Sequence, residues 1–398
     1  MDPIRNPYTP NAGEKPDVLV GRDELFTAFE ILLQRTMRGR SARSMIVTGL
    51  RGVGKTVLLD RFRELALGHG WSVLEMEVDK FDDGTFRQEL ALRLRIALLD
   101  LSPRSRWTER FKRASAALSA FSVKFDTSGQ PSFSLNVSAI EGLADHANLS
   151  LDLTDVFLEV GAAAQEKRTG LILLFDEIQF LSREQFSALI MALHKTVQRK
   201  LPIVLVGAGL PQLPELAGDA KSYSERLFTF PEIGNLNDEH AKEALQGPAL
   251  LENVRFAPDA LALAVEVTAG YPYFIQELGW AAWNIAATNP ISKEDIDLAI
   301  ERYQTQLDAS FFRVRFERTS AKQAAYLRAM AELGAGMHSS GDIAEVLGKD
   351  STQVGNIRAE LIELGLIYAP QRGYAAFTVP HFEKFMRRAM PRIYFGNA

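Results

Sequence analysis

The stretch MIVTGLRGVGKTVLLDRF, residues 45–62, decides how the rest of the chain is interpreted. Its first four residues, 45–48, are apolar or β-branched and predict a short buried strand. Residues 49–56 then fit the pattern G-x-x-x-x-G-K-[ST], and apolar residues recur at helical spacing beyond them. Strand, glycine-rich loop and helix in this order predict a P-loop, because glycines let backbone N–H groups converge on phosphate oxygens.

The P-loop pattern also predicts the chemical roles of individual side chains. Lys55 is expected to reach the β- and γ-phosphates, and the Thr56 hydroxyl is expected to bind Mg²⁺. The start of the following helix adds partial positive charge. The candidate nucleotide-binding residues of the loop are Gly49, Leu50, Arg51, Gly52, Val53, Gly54, Lys55, Thr56 and Val57. The predicted cofactors are therefore ATP or ADP and Mg²⁺.

A second motif, LILLFDEIQF at 171–180, supplies the partner that a P-loop needs for hydrolysis. Its five apolar residues predict a central strand that ends at Asp176 and Glu177. Asp176 can hold Mg²⁺ through water, and Glu177 can orient or deprotonate an attacking water. A glutamate at this place indicates a Mg²⁺-dependent ATPase rather than a kinase.

A third catalytic candidate is Arg226, which is expected at the end of a helix before a strand-like run. An arginine there could reach the γ-phosphate of a neighbouring subunit, as an arginine finger in a homo-oligomer. The alternative, a surface arginine in a local ion pair, stays open.

Composition restricts the classes of protein that are possible. The chain has 398 residues, of which 46% are hydrophobic, so two or three domains are expected. A net charge of −5 excludes a uniformly basic nucleic-acid coat. The chain has no cysteine, which rules out disulfides and thiolate metal sites and indicates a reducing compartment. It also lacks a signal-peptide core and an apolar run of about 20 residues, so a cytoplasmic protein without membrane contact is expected.

The pattern of helices, strands and breakers predicts four regions. An extended arm covers 1–20, an α/β nucleotide-binding core covers 21–232, a helical lid covers 233–318 and a further domain covers 319–398. The core contains an insertion at about 102–140, with a basic helix followed by a β-hairpin. These two elements could contact DNA phosphates, or could be a solvated helix face and a subunit-packing hairpin.

The last region has the pattern of a winged helix-turn-helix. Three amphipathic helices are predicted at 321–333, 340–348 and 351–367, followed by two strands around 371–373. The third helix has a predicted buried stripe of Val354, Ile357, Leu361 and Leu364. The DNA-binding candidates are the exposed residues Gln353, Asn356 and Arg358 of this helix and Arg372 at the wing tip.

The charge of this region leaves its partner open. Residues 320–398 contain nine basic and seven acidic residues, a net charge of +2, which is weak for a DNA reader. A winged helix can also bind protein.

These motifs together resemble those of AAA+ ATPases of the origin-recognition-like group. Members of that group carry a Val-Gly-Arg stretch near the adenine, which Val20, Gly21 and Arg22 match. The segments NPYTP, GAGLPQL, SERLF, GYPYF and FTVPHF are similar to those of a widespread bacterial family described only as ATP-binding proteins. The resemblance implies a P-loop NTPase fold of AAA+ type, with a parallel sheet flanked by helices, a helical lid and the C-terminal winged helix.

The lid departs from the initiator pattern. Initiator ATPases place a γ-phosphate-contacting arginine at the start of a lid helix, whereas TAGYPYFIQELGW at 268–280 has none. Gly270 and Pro272 instead resemble the Gly-x-Pro motif of STAND signalling ATPases, in which the proline lies near the base. The alternative is that Pro272 only begins a helix. Two hypotheses follow: an ATPase that couples its nucleotide state to duplex DNA, or a slow STAND-like switch whose winged helix contacts protein.

Overall fold

The computed structural model describes residues 1–11, 13–102, 108–123 and 140–391. The predicted β-hairpin of the insertion lies outside these residues, except for 121–123. Those three residues are helical, so the expectation of a strand there is wrong. Arg104 and Arg106 of the predicted basic helix also lie outside the described residues.

The nucleotide-binding core alternates strands and helices, as the sequence predicts. Its strands are β1 (Ser44–Thr48), β2 (Ser72–Glu77), β3 (Leu171–Asp176), β4 (Ile203–Gly209) and β5 (Phe228–Thr229). Its helices are α1 (Asp23–Met37), α2 (Lys55–Gly68), α3 (Asp83–Leu101), α4 (Glu109–Val123), α5 (Leu149–Glu166), α6 (Arg183–Gln198), α7 (Leu213–Ala220) and α8 (Ser224–Leu227).

All five core strands are parallel and lie in the order β2-β3-β4-β1-β5. Strand β1, which leads into the P-loop, is therefore an interior strand between β4 and β5. Strand β3 is the next strand beyond β4, and its register pairs Phe175 with Gly207. Because the strands are parallel, the loop after β1 and the acidic end of β3 lie at the same edge of the sheet.

Alternate strand residues enter two hydrophobic layers, because successive side chains of a strand point to opposite faces. Ile172 and Leu174 pack in the layer with α1 and α2, whereas Leu173 and Phe175 pack in the layer with α3, α5 and α6. The first layer continues without a break into the C-terminal half of the chain. The P-loop face of the sheet therefore shares one core with the rest of the molecule.

Four helices follow the core: α9 (Asp238–Leu251), α10 (Pro258–Thr268), α11 (Pro272–Ile285) and α12 (Lys293–Gln306). Helix α12 starts after Ser292, which forms a reciprocal capping box with Asp295. A π-helical segment (Leu307–Phe312) and the short helix α13 (Arg313–Phe316) then lead out of this bundle. We call residues 307–316 the connector.

The last region contains three helices, α14 (Ala321–Leu333), α15 (Ser340–Val346) and α16 (Ser351–Glu363). Strands β6 (His338–Ser339), β7 (Ile367–Tyr368) and β8 (Tyr374–Phe377) form an antiparallel sheet in the order β6-β8-β7, and α17 (Phe382–Ala389) follows. Helix α16 ends at Glu363, four residues earlier than predicted. Leu364 is consequently 42% exposed and does not belong to the buried stripe.

Candidate functional site

The glycine-rich loop between β1 and α2 has a conformation that requires glycine. Gly52 and Gly54 have φ angles of 84° and 93°, in the left-handed region. A Cβ atom on Gly49 would lie 2.4 Å from the carbonyl oxygen of Ile233. Gly54 is the N-cap of α2 and offers no side-chain cap, so the first N–H groups of the helix stay open to a ligand.

Lys55 is a buried cation, with 7% of its surface exposed. Its ammonium donates to the carbonyl oxygens of Gly49, at 3.0 Å, and Leu50, at 2.8 Å. Burial lowers the pKa of Lys55, and Glu177 and Asp176 oppose that shift from a distance. A desolvated ammonium without an ion pair among the described residues would be stabilised by a bound anion.

Thr56 and Asp176 meet across the end of the sheet. The Thr56 hydroxyl donates to Asp176 Oδ2 at 2.6 Å, and the Glu177 N–H donates to Oδ1 at 2.8 Å. Burial raises the pKa of Asp176, while these two hydrogen bonds lower it. A hydroxyl and a carboxylate side by side fit the preference of Mg²⁺, which usually takes one or two protein oxygens and completes its shell with phosphate and water.

Glu177 is held in a defined position beside Asp176. Its backbone is left-handed, with φ of 51°, which turns the side chain away from the line of β3. The Gln179 amide N–H₂ donates to Glu177 Oε2, and the Gln179 amide oxygen accepts from the Leu210 N–H at 3.2 Å. Gln179 therefore ties the catalytic candidate Glu177 to the end of β4, a role that the sequence analysis missed.

A cavity of about 370 Å³ opens above the loop. One wall is apolar and includes Val18, Val20, Leu236 and Ile275. Four cations, Arg22, Arg51, Lys55 and Arg315, line the cavity together with two acids, Glu14 and Glu177. A cavity lined by both apolar and cationic side chains matches the base and the phosphate chain of a nucleotide.

The N-terminal arm closes one side of this cavity. The Thr9 N–H donates to Gln276 of α11 at 3.0 Å, and Lys15 bonds Glu64 of α2 at 2.8 Å. Tyr8 is 2% exposed and lies against Gly279, where a Cβ atom would come within 2.5 Å of its ring. The arm predicted as merely extended thus belongs to the wall of the pocket.

The C-terminal region touches the P-loop directly. The Arg51 N–H donates to the Thr378 carbonyl oxygen at 3.2 Å. The Arg51 guanidinium lies against Gly365, where a Cβ atom would be 2.6 Å from Nη2. Lys80, beyond β2, forms a 2.8 Å ion pair with Glu363 of α16. Arg51 of the phosphate loop therefore contacts both the pocket and the C-terminal region.

Comparison with known protein families agrees with this geometry. Residues 18–206 match the model of the AAA ATPase domain. The chain contains an AAA ATPase domain. Residues 309–386 match a second model, described as the domain of unknown function DUF8462. No curated protein matches the chain.

A solved structure has the same fold as this chain. A Walker-type ATPase of Pyrococcus abyssi aligns over 94% of this chain and 97% of its own, with a TM-score of 0.57 and 16% identity. Two further neighbours are the Aeropyrum pernix Orc1 protein in complex with DNA (TM-score 0.43, 18% identity, 94% of each chain) and the Thermotoga maritima RuvB Holliday junction branch migration motor (TM-score 0.46, 15% identity, 94% of this chain and 98% of that one). The chain has the AAA+ P-loop NTPase fold that the sequence predicts.

Most of the predicted nucleotide contacts line the cavity of the AAA ATPase domain. They are Val20, Arg22, Arg51, Gly52, Val53, Gly54, Lys55, Thr56, Val57 and Pro272. Gly49 and Leu50 instead supply the carbonyl oxygens that hold Lys55. Gly21 lies behind the wall, where a Cβ atom would come within 2.8 Å of His240.

Several lining residues were not predicted, because they come from distant parts of the chain. Tyr273 at the start of α11 donates its N–H to the Gly52 carbonyl oxygen at 3.2 Å. Phe311 and Arg315 of the connector complete the wall. No local motif marks these positions, since each of them depends on how the lid packs against the AAA ATPase domain.

Arg226 lies apart from the cavity, at the end of α8. Its side chain is exposed, and among the described residues it has no hydrogen-bond or ion-pair partner. The described residues thus give this arginine no local ion pair, and its role as an arginine finger stays a prediction. Gln212, the residue before α7, lines a neighbouring cleft between the AAA ATPase domain and α16.

The DNA-binding candidates fall into two groups. Gln353, Asn356 and Arg372 are exposed. Arg358 is half-buried, and its guanidinium donates to the Tyr374 carbonyl oxygen at 2.7 Å. The expectation that Arg358 projects freely from α16 is wrong, because the start of β8 folds back against the helix and engages it.

The basic helix of the insertion is also less free than its composition indicates. On α4, Arg113 binds Glu159 at 2.8 Å, and Lys112 binds Glu109 at 2.6 Å. Arg110 lies 3.6 Å from Glu166. These neighbouring acids neutralise the described part of the predicted phosphate-binding face. Within the described ranges, no helix is long and apolar enough to cross a membrane.

Proposed function

We propose that this protein binds and hydrolyses Mg²⁺-ATP, and that the bound nucleotide controls the docking of its C-terminal region on the AAA ATPase domain. The contact between the Arg51 N–H and the Thr378 carbonyl oxygen carries this proposal. It connects the phosphate loop to the strand end after β8, so a change in the loop on binding phosphate changes that contact.

The chemical step follows from the side chains at the end of the sheet. Lys55 leaves its two carbonyl acceptors for the phosphate chain, and Thr56 and Asp176 supply oxygen ligands for Mg²⁺. Bound Mg²⁺ would neutralise charge between the phosphates. Glu177 takes the proton of the attacking water, and Gln179 keeps the carboxylate in place.

The C-terminal region is proposed to be a winged helix that acts as the mobile part of a switch. Three helices and an antiparallel sheet with the Arg372 turn match that architecture. Its acidic residue Glu363 already contacts the AAA ATPase domain through Lys80. Arg358 is engaged within the region itself. A helix with these contacts fits a protein-binding switch better than a phosphate-binding surface, which makes a protein partner the first candidate.

Site-specific cross-linking tests the switch, because the chain has no cysteine to interfere. Cysteines placed at Lys80 and Glu363 can be joined by a short bis-maleimide. With ADP we expect efficient cross-linking. With ATP, in a Glu177→Gln background that prevents hydrolysis, we expect the cross-linked fraction to fall because the docking contact opens.

A Lys55→Ala version of the same protein serves as the control, since it should respond to neither nucleotide. Equal cross-linking with ATP and ADP in the Lys55 protein would show that the C-terminal region does not follow the nucleotide state. ATP hydrolysis, measured separately, would still test the catalytic half of the proposal.

Self-association in the ATP state is a second part of the proposal. The exposed side chain of Arg226 is available to reach the γ-phosphate of a neighbouring copy. Mixing Arg226→Ala with Lys55→Ala protein should restore turnover, because mixed assemblies contain an intact pocket beside an intact finger. If no activity returns and light scattering gives a monomer with ATP, Arg226 has no catalytic part.

Duplex DNA is the second candidate partner, favoured by one observation. Gln353 and Asn356 lie on an exposed face of α16, and Arg372 lies on the nearby turn. Filter binding of duplex DNA with and without ATP distinguishes the two partners. Salt-dependent DNA binding that requires the C-terminal region would make duplex DNA the first candidate partner instead of a protein.

A further inference from the structure

Arg315 is a cation in the pocket wall that forms no ion pair with an acid of the described residues. It lines the cavity beside Arg51, and the salt bridges of the described residues include none to its guanidinium. Its guanidinium stacks on the Phe311 ring, 4.1 Å from the centroid, and donates to the Phe311 carbonyl oxygen. Both partners are neutral, so its charge is uncompensated.

The surroundings of Arg315 make this charge unfavourable in the absence of a ligand. Burial lowers the pKa of Arg315, and the nearby Arg51 lowers it further. The guanidinium groups of Arg315 and Arg51 repel each other in a partly desolvated space, and Arg51 also lowers the pKa of the buried Lys55. Such a cluster is stabilised when an anion binds between its members.

The connector is built to hold Arg315 at the pocket. Tyr273, whose N–H contacts the P-loop, stacks on Phe311 at 4.5 Å between ring centroids. On the other side, Phe312 stacks on Phe385 of α17 at 5.3 Å. Arg315 is thus fixed between the lid, the P-loop and the C-terminal region.

We propose that Arg315 binds the phosphate chain of the nucleotide and supplies, from the connector, the arginine that the lid helix α11 lacks. Helix α11 begins with PYFIQELGW and contains no arginine. Arg315 reaches the same cavity from the connector instead. A phosphate held by Arg315 pulls on the segment that joins the lid to the C-terminal region. This inference rests on the proposed nucleotide site and adds one binding residue to it.

Nucleotide titration of an Arg315→Gln variant tests the proposal, with Arg313→Gln as the matched control. Arg313 lies on the same short helix but is exposed. Loss of a charge-assisted hydrogen bond should weaken ATP binding by about 10- to 100-fold in Arg315→Gln. Arg313→Gln should bind ATP like the parent, and Arg315→Lys should recover part of the loss.

Thermal unfolding separates a phosphate ligand from a structural arginine. Without nucleotide, Arg315→Gln should unfold at the parental temperature or higher, since an uncompensated cation is removed. The stabilisation produced by saturating ATP should shrink. Unchanged ATP affinity, or a lower unfolding temperature without nucleotide, would overturn the proposal for Arg315. Loss of ATP binding in Lys55→Ala would keep the proposed function intact in either case.

Discussion

The sequence predicts a phosphate-binding cation both in the P-loop, at Lys55, and on helix α16, at Arg358. The structure places these two residues in different surroundings. Lys55 is buried but its acceptors are carbonyl oxygens of the loop itself, which a nucleotide can replace. Arg358 has a similar hydrogen bond, to the Tyr374 carbonyl oxygen, but that bond joins a helix to a strand. A phosphate could replace the hydrogen bonds of Lys55 at little cost, whereas phosphate binding by Arg358 would disrupt the packing of β8 on α16.

The comparison shows what a motif encodes. In the P-loop the left-handed glycines and the helix start create the site, and Lys55 only completes it. On α16 the prediction depended on which face of the helix is open. That face depends on where β8 runs, and helical spacing alone does not determine it.

The largest expected effect comes from Lys55→Ala. Removing the buried ammonium deprives the phosphate chain of its central charge, at a cost of about 2–5 kcal/mol in binding. ATP and ADP should no longer bind at micromolar concentrations by calorimetry. Lys195→Ala, which removes an exposed lysine of α6 outside the cavity, is the control and should bind normally. If Lys55→Ala binds ATP like the parent, Lys55 is not a phosphate ligand and does not differ from Arg358 in that respect.

Glu177→Gln should retain ATP but lose turnover by about 10²–10⁴-fold, because a positioned proton acceptor becomes a neutral amide. Phosphate release under saturating Mg²⁺-ATP measures the loss, and a parallel binding titration shows that the pocket is intact. Turnover at the parental rate would remove Glu177 from the chemical step.

Asp176→Asn should affect stability and turnover in opposite directions. Burial raises the pKa of Asp176, so its ionised form opposes folding above the ordinary carboxyl pKa. The free protein should therefore be at least as stable as the parent near neutral pH in urea unfolding. Turnover should nevertheless be lost because a Mg²⁺ ligand is gone. A marked loss of stability would mean that the carboxylate has a structural role.

Arg358→Ala tests the other side of the comparison. It leaves the Tyr374 carbonyl oxygen unpaired and should lower the free energy of unfolding by about 1–3 kcal/mol. Arg372→Ala removes an exposed turn residue and should change it by less than about 0.5 kcal/mol. If duplex DNA binds, Arg372→Ala should reduce the salt slope of the logarithm of affinity by about one unit. Equal stability of both variants would show that Arg358 is free after all.

Much of the core of the molecule could be predicted from local sequence, and the physical reason is the same in each case. The P-loop, the strand before Asp176 and the capping box at Ser292 depend on residues within a few positions of one another. The Arg51–Thr378 contact and the placement of Arg315 depend on packing between segments far apart in the chain. Leu364 fell off the predicted stripe because α16 stops one residue before it.

The N-terminal arm should affect how long a nucleotide stays in the pocket. Its anchors beside the cavity are the Thr9–Gln276 hydrogen bond and the exposed Lys15–Glu64 pair, which together are worth only about 1–2 kcal/mol. A nucleotide that leaves past the arm must wait for these anchors to open, so its residence time depends on them as well as on the phosphate contacts. Because salt screens an exposed ion pair, ionic strength should shorten that wait. The arm thus makes the rate of nucleotide exchange depend on the ionic strength of the surrounding solution.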